Sequence, residues 1–297
     1  MSPTKTTGNR QSTNSTPLSR AVDAVRSKAS SEGQEAPGAV TLMERAGLDP
    51  DPWQEALLTS DWERALLNCA RQSGKTTASA ALALETALEA TDSLVLILAP
   101  ARRQSKEFLR SVRSLYRDAA PDGGLDKQSE LRLRLENESR IIALPGKEGT
   151  VRGYTADLVI ADEAARVPDA AYVATRPMLA VTGGRFVGLS TPAGQRGWFY
   201  EAWTDPGQEW EQVKVTGQDC PRMTEAFLEQ ERREMGDWQF RSEYMCEFTD
   251  TEDQLFATEH IESSLTSEVG ALFDRDDETG EYLSDTEPLF SDTQGDE

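Results

Sequence analysis

A loop with the residue types of a phosphate site lies between an apolar segment and an alanine-rich segment. It reads Ala-Arg-Gln-Ser-Gly-Lys-Thr-Thr over residues 70–77. The backbone N–H groups of such a loop, together with the amino end of the following helix, can bind phosphate oxygens. Lys75 can reach the β- and γ-phosphates of a nucleotide, and the Thr76 hydroxyl can coordinate Mg²⁺. The loop residues predicted to bind the nucleotide are Arg71, Gln72, Ser73, Gly74, Lys75, Thr76 and Thr77.

This loop departs from the full P-loop pattern at one position. The pattern has a glycine five residues before Gly74, where this sequence has Cys69. A basic turn that opens an ordinary helix is the alternative interpretation. The apolar segment before the loop and the helix predicted after it favour a phosphate loop.

Two adjacent acids form a second candidate element, about ninety residues further along the chain. The apolar stretch 157–161 ends in Asp162 and Glu163. By itself, a strand that ends in two acids is more typical of a turn or a helix cap. After a phosphate loop, the same pair is placed to do chemistry: Asp162 can hold Mg²⁺, and Glu163 can orient an attacking water molecule.

Apolar strands and amphipathic helices alternate through the middle of the chain. Strands are predicted at 65–70, 94–98, 130–135, 140–144, 157–161, 185–189 and 211–215, and helices at 53–58, 74–89, 102–119 and 224–244. This alternation predicts an α/β fold of the P-loop NTPase class, with a mainly parallel central sheet covered by helices on both faces. The candidate residues then lie at the carboxyl ends of the strands, where sheets of this kind place their sites.

The net charge of −21 is concentrated at the end of the chain. Residues 250–297 contain sixteen acids and one base, Arg275, so this segment carries −15 and residues 1–249 only −6. Residues 1–40 are rich in Ser, Thr, Gly and Pro. We expect a flexible arm at 1–40, an ATPase domain at 41–250 and an acidic, disordered tail or linker at 251–297.

Cysteine, histidine and hydrophobic content exclude several classes of protein. Three widely spaced cysteines and a single histidine, His260, form no disulfide framework, zinc pair or His-rich metal site. A metal here should be held by carboxylate, hydroxyl and phosphate oxygens, which suits Mg²⁺. No apolar run has the length of a membrane span, so no membrane partner is expected.

In order and spacing, these motifs resemble the N-terminal ATPase half of viral terminase large subunits. Arg-Gln-Ser-Gly-Lys-Thr resembles their variant Walker A motif, and Asp-Glu-Ala-Ala after the apolar strand resembles their Walker B motif. Further matching segments are Pro-Trp-Gln at 52–54, Ala-Pro-Ala-Arg-Arg-Gln-Ser at 99–105, Val-Arg-Gly-Tyr at 151–154, Ser-Thr-Pro-Ala-Gly at 190–194 and residues 240–248. The resemblance covers roughly residues 45–250, and its specificity lies in the ordered set.

The resemblance implies roles for residues outside the two Walker motifs. Gln54 resembles a glutamine that senses adenine, and Ser190 with Thr191 resembles the motif that couples phosphate state to movement. Arg71 resembles an arginine that acts on its own subunit's nucleotide. Arg152 resembles an arginine finger offered to a neighbouring subunit. The transition state needs one such cation, and the sequence leaves open which arginine supplies it.

The resemblance also implies cofactors and partners. The cofactors are ATP and Mg²⁺; the partners are double-stranded DNA, a portal protein and the small terminase subunit. The protein would assemble as a homo-oligomeric ring in the host cell cytoplasm, transiently at the portal vertex of a procapsid. Members of the family usually continue into an RNase H-like nuclease, but the residues after Phe248 are acidic without apolar strands. Nuclease activity is therefore not predicted for this chain, and a separate nuclease subunit is one option.

The helix predicted at 102–119 has a basic face and an apolar face. The basic residues, three and four positions apart, are Arg103, Lys106, Arg110, Arg113 and Arg117, and the apolar residues are Phe108, Val112 and Leu115. The basic face could follow a phosphate backbone. It could equally be a solvated face that pairs with the protein's own carboxylates.

Two other functions fit parts of the pattern. A helicase-like or other DNA translocase shares the glutamine, lysine and Asp-Glu elements, but it needs a second RecA-like domain that the acidic segment cannot supply. A nucleotide-binding assembly component that hydrolyses ATP weakly is the other alternative. The presence of Lys75, Thr76, Asp162 and Glu163 together argues against it.

Overall fold

The computed structural model describes residues 36–119, 125–146, 153–205 and 210–249, and the backbone of 274–275 and 282–283. The chain divides into two compact units, Met1–Thr249 and Asp250–Glu297. In the second unit, β9 (Asp274–Arg275) pairs antiparallel with β10 (Tyr282–Leu283). The predicted arm at 1–40 lies mostly outside the described residues, and the domain limits at 41–250 and 251–297 remain predictions.

An eight-stranded sheet forms the centre of the first unit. Its strands are β1 (Arg64–Cys69), β2 (Leu94–Ala99), β3 (Leu125–Ser129), β4 (Arg132–Leu135), β5 (Arg140–Pro145), β6 (Leu158–Asp162), β7 (Arg185–Ser190) and β8 (Glu211–Val215). Their order is β3-β4-β5-β2-β6-β7-β1-β8. In this order, all neighbouring strands from β5 through β2, β6, β7 and β1 to β8 pair in parallel. The other two pairs, β3 with β4 and β4 with β5, are antiparallel. The predicted α/β fold with a mainly parallel sheet is confirmed.

Helices cover both faces of this sheet. They are α1 (Ala39–Arg45), α2 (Pro52–Thr59), α3 (Lys75–Glu89), α4 (Arg102–Ala119), α5 (Asp169–Ala180), α6 (Gly197–Thr204), α7 (Glu225–Met235) and α8 (Asp237–Glu243). One apolar cluster joins α1, α3 and α4 to the sheet, and a second joins α5 and α6 to it. Successive strand residues alternate between them: Ile97 belongs to the first cluster and Leu96 to the second. This is the period of two that a strand buried on both faces requires.

Most of the predicted elements are present, and the differences have local causes. The predicted helix at 224–244 is two helices, because Gly236 has a φ of 84° and ψ of 161°, outside the helical region. Helices α1, α5 and α6 were not predicted; Pro177 within α5 weighs against a helix by propensity alone. Strand β3 was also missed, and it extends the predicted hairpin of β4 and β5 by one strand.

The two faces of α4 agree with the sequence prediction. Phe108, Leu109 and Val112 are buried against the sheet, whereas the arginine side chains of the helix are mostly exposed. Among the described residues, no helix has both the length and the apolar character needed to cross a membrane.

Candidate nucleotide-binding site

The phosphate loop connects the end of β1 to the start of α3. Gln72 has a φ of 58° and Gly74 a φ of 92°, so the chain reverses sharply before α3 begins at Lys75. The φ of Gly74 disfavours any residue with a side chain, and an added Cβ would lie 2.7 Å from Gln54 Nε2, which would have to move. Cys69, which occupies the position of the missing glycine, is the fully buried last residue of β1. The first turn of α3 offers backbone N–H groups without intrahelical acceptors, as an anion site requires.

Backbone hydrogen bonds tie this loop to the elements beside it. Ala70 N donates to Val215 O at 2.7 Å, and Arg71 N donates to Glu243 O at 2.9 Å. The guanidinium of Arg71 is also near the Glu243 carboxylate, with Nε 3.5 Å from Oε2. Arg71 thus lies at the loop as predicted, with its exposed side chain beside α8 rather than free of partners.

The two acids predicted from sequence lie at the carboxyl end of β6, and one of them contacts the loop lysine. The Nζ of buried Lys75 lies 3.6 Å from Oε1 of Glu163. Glu163 has left-handed backbone angles, φ 50° and ψ 47°, which end the strand abruptly. The loop and the acidic pair, 88 positions apart, therefore form one site at the carboxyl edge of the parallel strands.

Asp162 has the environment expected of an oxygen ligand for a cation. It is 7% exposed, and its Oδ1 atom is buried without a hydrogen-bond partner. Burial, with a further contribution from the Glu163 charge, raises the pKa of Asp162 to about 7. A carboxylate oxygen with these properties and the Thr76 hydroxyl at the start of α3 are a donor set that suits Mg²⁺. Among the described residues, no group of three or more His, Cys, Asp and Glu side chains could hold a metal by protein ligands alone.

Gln54 lies beside the phosphate loop, on α2. Its Oε1 accepts a hydrogen bond from Asp51 N at 2.8 Å, and its Nε2 donates to Gly74 O at 3.0 Å. The side chain is buried. Its amide connects the start of α2 to the turn of the loop.

Ser190 and Thr191 follow β7, the strand next to β6. Both are buried, and the Ser190 hydroxyl donates to Thr191 O at 2.6 Å. Arg166 connects this motif to the acidic pair: its Nη1 lies 3.0 Å from Glu163 Oε2 and 3.3 Å from Thr191 Oγ1. Sequence reasoning missed Arg166, although its position three residues after Glu163 is a local signal.

A second arginine that sequence reasoning missed contacts the backbone of the loop. Arg222 pairs with Asp51 and donates a hydrogen bond to Ser73 O. No sequence pattern indicates this contact, because Arg222 and Asp51 are 171 positions apart.

Arg152 lies outside the described residues, so its predicted role as an arginine finger remains a prediction. Gly153, the first described residue after it, has a φ of 94°, which favours glycine.

The basic face of α4 is largely paired with groups of the protein itself. Lys106 and Arg102 contact Glu130, Arg110 contacts Glu107, Arg117 contacts Asp118, and Arg113 donates to Ser129 O. These contacts favour a solvated, internally paired face over a surface reserved for DNA. Exposed pairs of this kind contribute little to stability, about 0–1 kcal/mol each.

Comparison with known proteins agrees with the fold and identifies the family. The family described as terminase large subunit, T4-like virus type, N-terminal, matches residues 66–263. The terminase large subunit of Thermus virus P23-45 is 28% identical over 254 residues, covering 73% of this chain and 52% of that protein. The terminase large subunit of Escherichia phage T5 is 28% identical over 198 residues, covering 64% of this chain and 45% of the other. The chain thus spans about half the length of these relatives.

Solved structures lead to the same family. The ATPase domain of the Thermus phage P74-26 large terminase superposes with a TM-score of 0.61 at 27% identity, covering 70% of this chain and 97% of that domain. The large terminase of another thermophilic bacteriophage, in complex with ADP, has a TM-score of 0.57 at 13% identity, covering 71% of this chain and 54% of the other, and supports the fold alone. The family match extends over more than half of the chain, from β1 through the phosphate loop and the acidic pair. The chain belongs to the N-terminal family of terminase large subunits.

Proposed function

We propose that this chain is the ATPase domain of a DNA-packaging motor, which couples ATP hydrolysis to translocation of double-stranded viral DNA into a procapsid. The observation that carries the proposal is the contact between Lys75 on the phosphate loop and Glu163 at the end of β6. It brings a phosphate-binding cation and a candidate water-orienting carboxylate to the same edge of the sheet. Membership of the terminase large-subunit family supplies the link to packaging.

The residues of the loop would bind the nucleotide phosphates. The N–H groups at the start of α3 point along the helix axis toward an anion, and the Lys75 ammonium would move from Glu163 to the phosphate oxygens. Mg²⁺, when bound through Asp162 and Thr76, would neutralise charge on those oxygens. Glu163, released from Lys75, would accept a hydrogen bond from the attacking water and orient it.

One arginine would complete the charge balance in the transition state. Arg71 belongs to the loop, and its guanidinium pairs with Glu243 of α8. Arg152 precedes Gly153 and would act on the nucleotide of an adjacent subunit in a ring. We propose Arg152 as the trans-acting group and Arg71 as the candidate in cis.

The proposed partners follow from the family and lie outside what this chain alone contains. They are double-stranded DNA, a portal protein, the small terminase subunit and a nuclease supplied by another chain or by the part of the relatives that this chain does not match. The site of action would be the host cell cytoplasm, at the portal vertex during packaging.

The experiment that tests the proposal is a phosphate-release assay with ATP and Mg²⁺, with and without double-stranded DNA and portal protein. Hydrolysis that DNA and portal stimulate, and that Glu163→Gln abolishes, is the expected result. ATP binding without hydrolysis under all of these conditions would favour the weakly hydrolysing assembly component. Hydrolysis that DNA stimulates equally with and without portal would favour a general translocase.

A further inference from the structure

Arg222 forms a paired contact with Asp51 beside the phosphate loop. It lies between the short turn Gly217–Asp219 and α7. Its Nη1 and Nη2 atoms each donate to one oxygen of the Asp51 carboxylate, at 2.7 Å. The Asp51 side chain is 6% exposed, whereas that of Arg222 is 52% exposed. The guanidinium therefore compensates a carboxylate that would otherwise be buried without a counter-charge.

The same guanidinium reaches the loop backbone. Its Nη2 donates to Ser73 O at 3.0 Å, and on the next residue Gly74 O accepts from Gln54 Nε2 at the same distance. Each of these two consecutive carbonyls thus accepts from a side chain outside the loop; Gly74 O also accepts from Thr77 N and Ala78 N of α3, whereas Ser73 O is held by Arg222. An added Cβ at Gly74 would be 3.2 Å from Arg222 Nη2, so the guanidinium lies closely against this turn.

Fixing these two carbonyls also fixes the orientation of the peptide planes that follow them. The N–H groups of those planes belong to Gly74, the N-cap of α3, and Lys75, its first residue, positions for which a helix supplies no acceptor of its own. A loop whose carbonyls are held on one side presents its N–H groups on the other side, toward the position of an anion. Loss of one holding contact would let the loop sample orientations that do not bind phosphate.

We infer that Arg222 is a positioning residue for nucleotide binding, which holds the phosphate loop in its binding conformation through Asp51 and Ser73. This inference rests on the proposed function, because it concerns the same nucleotide site. Arg222 acts through the loop and does not itself contact the reacting atoms. Asp51 precedes the first residue of α2, the helix that carries Gln54, so the pair also connects the loop to that helix.

The position of Arg222 gives the inference a second consequence. Arg222 precedes α7, which packs with α8 around a small apolar cluster of Leu228, Phe240 and Tyr244. A nucleotide that stabilises the loop should therefore also stabilise the Arg222 contact and the start of α7. By linkage, the free energy by which a nucleotide strengthens the Arg222 contact equals the free energy by which loss of that contact weakens nucleotide binding.

The test measures Mg²⁺-ADP affinity by calorimetry on the full chain and on three variants. Arg222→Gln removes the charge and the paired contact, and we expect the dissociation constant to rise about tenfold, the size of one lost charged hydrogen bond. Arg222→Lys keeps the charge without the planar fork and should give an intermediate loss. Arg232→Gln is the matched control, because Arg232 pairs with exposed Asp237 where α7 meets α8 and should change affinity less than about twofold.

Two further readouts separate positioning from general destabilisation. In ATP hydrolysis, KM should rise with the dissociation constant while kcat stays within about twofold, since Arg222 acts through the loop rather than on the reacting atoms. ADP should slow amide hydrogen exchange at 70–76 and 222–228 in the wild type, and less so in Arg222→Gln. The melting temperature of each variant without nucleotide shows whether it is folded.

The outcomes are distinct. If the wild-type chain binds ADP and both Arg222 variants bind it with the same affinity, the inference is overturned and the proposed function stands. If Arg222→Gln does not fold, Arg222→Lys decides, because wild-type affinity in that variant would also overturn it. A wild-type chain that binds neither ADP nor ATP would contradict the proposed function itself.

Discussion

Lys75 Nζ lies 3.6 Å from Glu163 Oε1, although the two residues belong to different motifs and follow strands that are not neighbours in the sheet. Lys75 follows β1, Glu163 follows β6, and β7 lies between these strands. The lysine side chain is 9% exposed and the glutamate side chain 24%, so each charge shields the other from an unfavourable environment.

Substitution of these two residues should give different defects. Lys75→Ala should abolish nucleotide binding or turnover, because the phosphate-binding cation is lost. Glu163→Gln should bind ATP but hydrolyse it about 10²–10⁴-fold more slowly, since an amide cannot polarise water as a carboxylate does. Nucleotide affinity and phosphate release measure both effects, with Glu201→Gln on α6 as a matched surface control. Hydrolysis at the wild-type rate by Glu163→Gln would show that Glu163 is not the water-orienting group.

Arg166 should affect hydrolysis more than nucleotide binding. It contacts both Glu163 and Thr191. Arg166→Gln therefore removes a cation that orients the glutamate, and it also breaks the connection between Glu163 and Thr191 after β7. We expect kcat to fall about tenfold, which corresponds to the loss of one charged hydrogen bond, and ADP affinity to change little. Arg176→Gln on α5 is the control. An equal loss of ADP affinity and kcat would instead place Arg166 in nucleotide binding.

The Asp162 carboxylate predicts a pH dependence of stability in metal-free protein. Its pKa is about 7 in the folded chain and 3.8 as an ordinary aspartate. Between these values the folded state holds a proton that the unfolded state has lost, so this group's contribution to stability falls as pH rises from about 4 to about 7. With a chelator present, Asp162→Asn should therefore melt higher than wild type at pH 8, by about 2–4 °C for each kcal/mol regained.

The comparison at low pH is the control for that prediction. Near pH 4 the wild-type carboxyl group is protonated in the folded chain, and the two proteins should melt at similar temperatures. A variant that melts lower than wild type at pH 8 would contradict the prediction. Because a cation requires the ionised carboxylate, Mg²⁺ affinity should also fall as pH drops below about 7.

Mixing experiments should distinguish the two arginines. If Arg152 acts on a neighbouring subunit, subunits with Arg152→Ala should regain ATPase activity when mixed with subunits carrying Lys75→Ala. Some interfaces would then pair an intact loop with an intact arginine. Absence of recovery in rings shown to be mixed would favour Arg71, whose side chain lies beside its own loop. Mixing Arg71→Ala with Lys75→Ala should give no recovery.

Removal of residues 252–297 should leave the ATPase domain folded and able to bind ATP. The residues after Phe248 carry few apolar side chains, and they fall almost entirely within the second compact unit. The shortened chain should bind DNA more tightly at low salt, because a segment of net charge −15 repels phosphates. Thermal melting and DNA binding at two salt concentrations measure both effects, and a large drop in melting temperature would contradict the first.

Local patterns in the sequence were sufficient for the fold class and for both Walker-like elements. The apolar runs of β2 and β6 are continuous because these strands are buried on both faces, and that signal does not depend on their neighbours. The loop before α3 is equally local, since glycine at a φ of 92° and the following lysine and threonine lie within a few positions. Helix α5 was missed because its proline and exposed apolar residues obscure the helical period.

Only the tertiary structure decided which residues surround these elements. The sheet order places β7 between β6 and β1, which brings Glu163 toward Lys75 and Thr191 toward Arg166. Arg222 and Asp51 are 171 positions apart and share no periodic pattern. A sequence reports the local preferences of its segments, whereas such contacts depend on how strands distant in the chain pair. The sequence therefore determined the class of site, and the packing of the sheet determined the side chains that hold it in place.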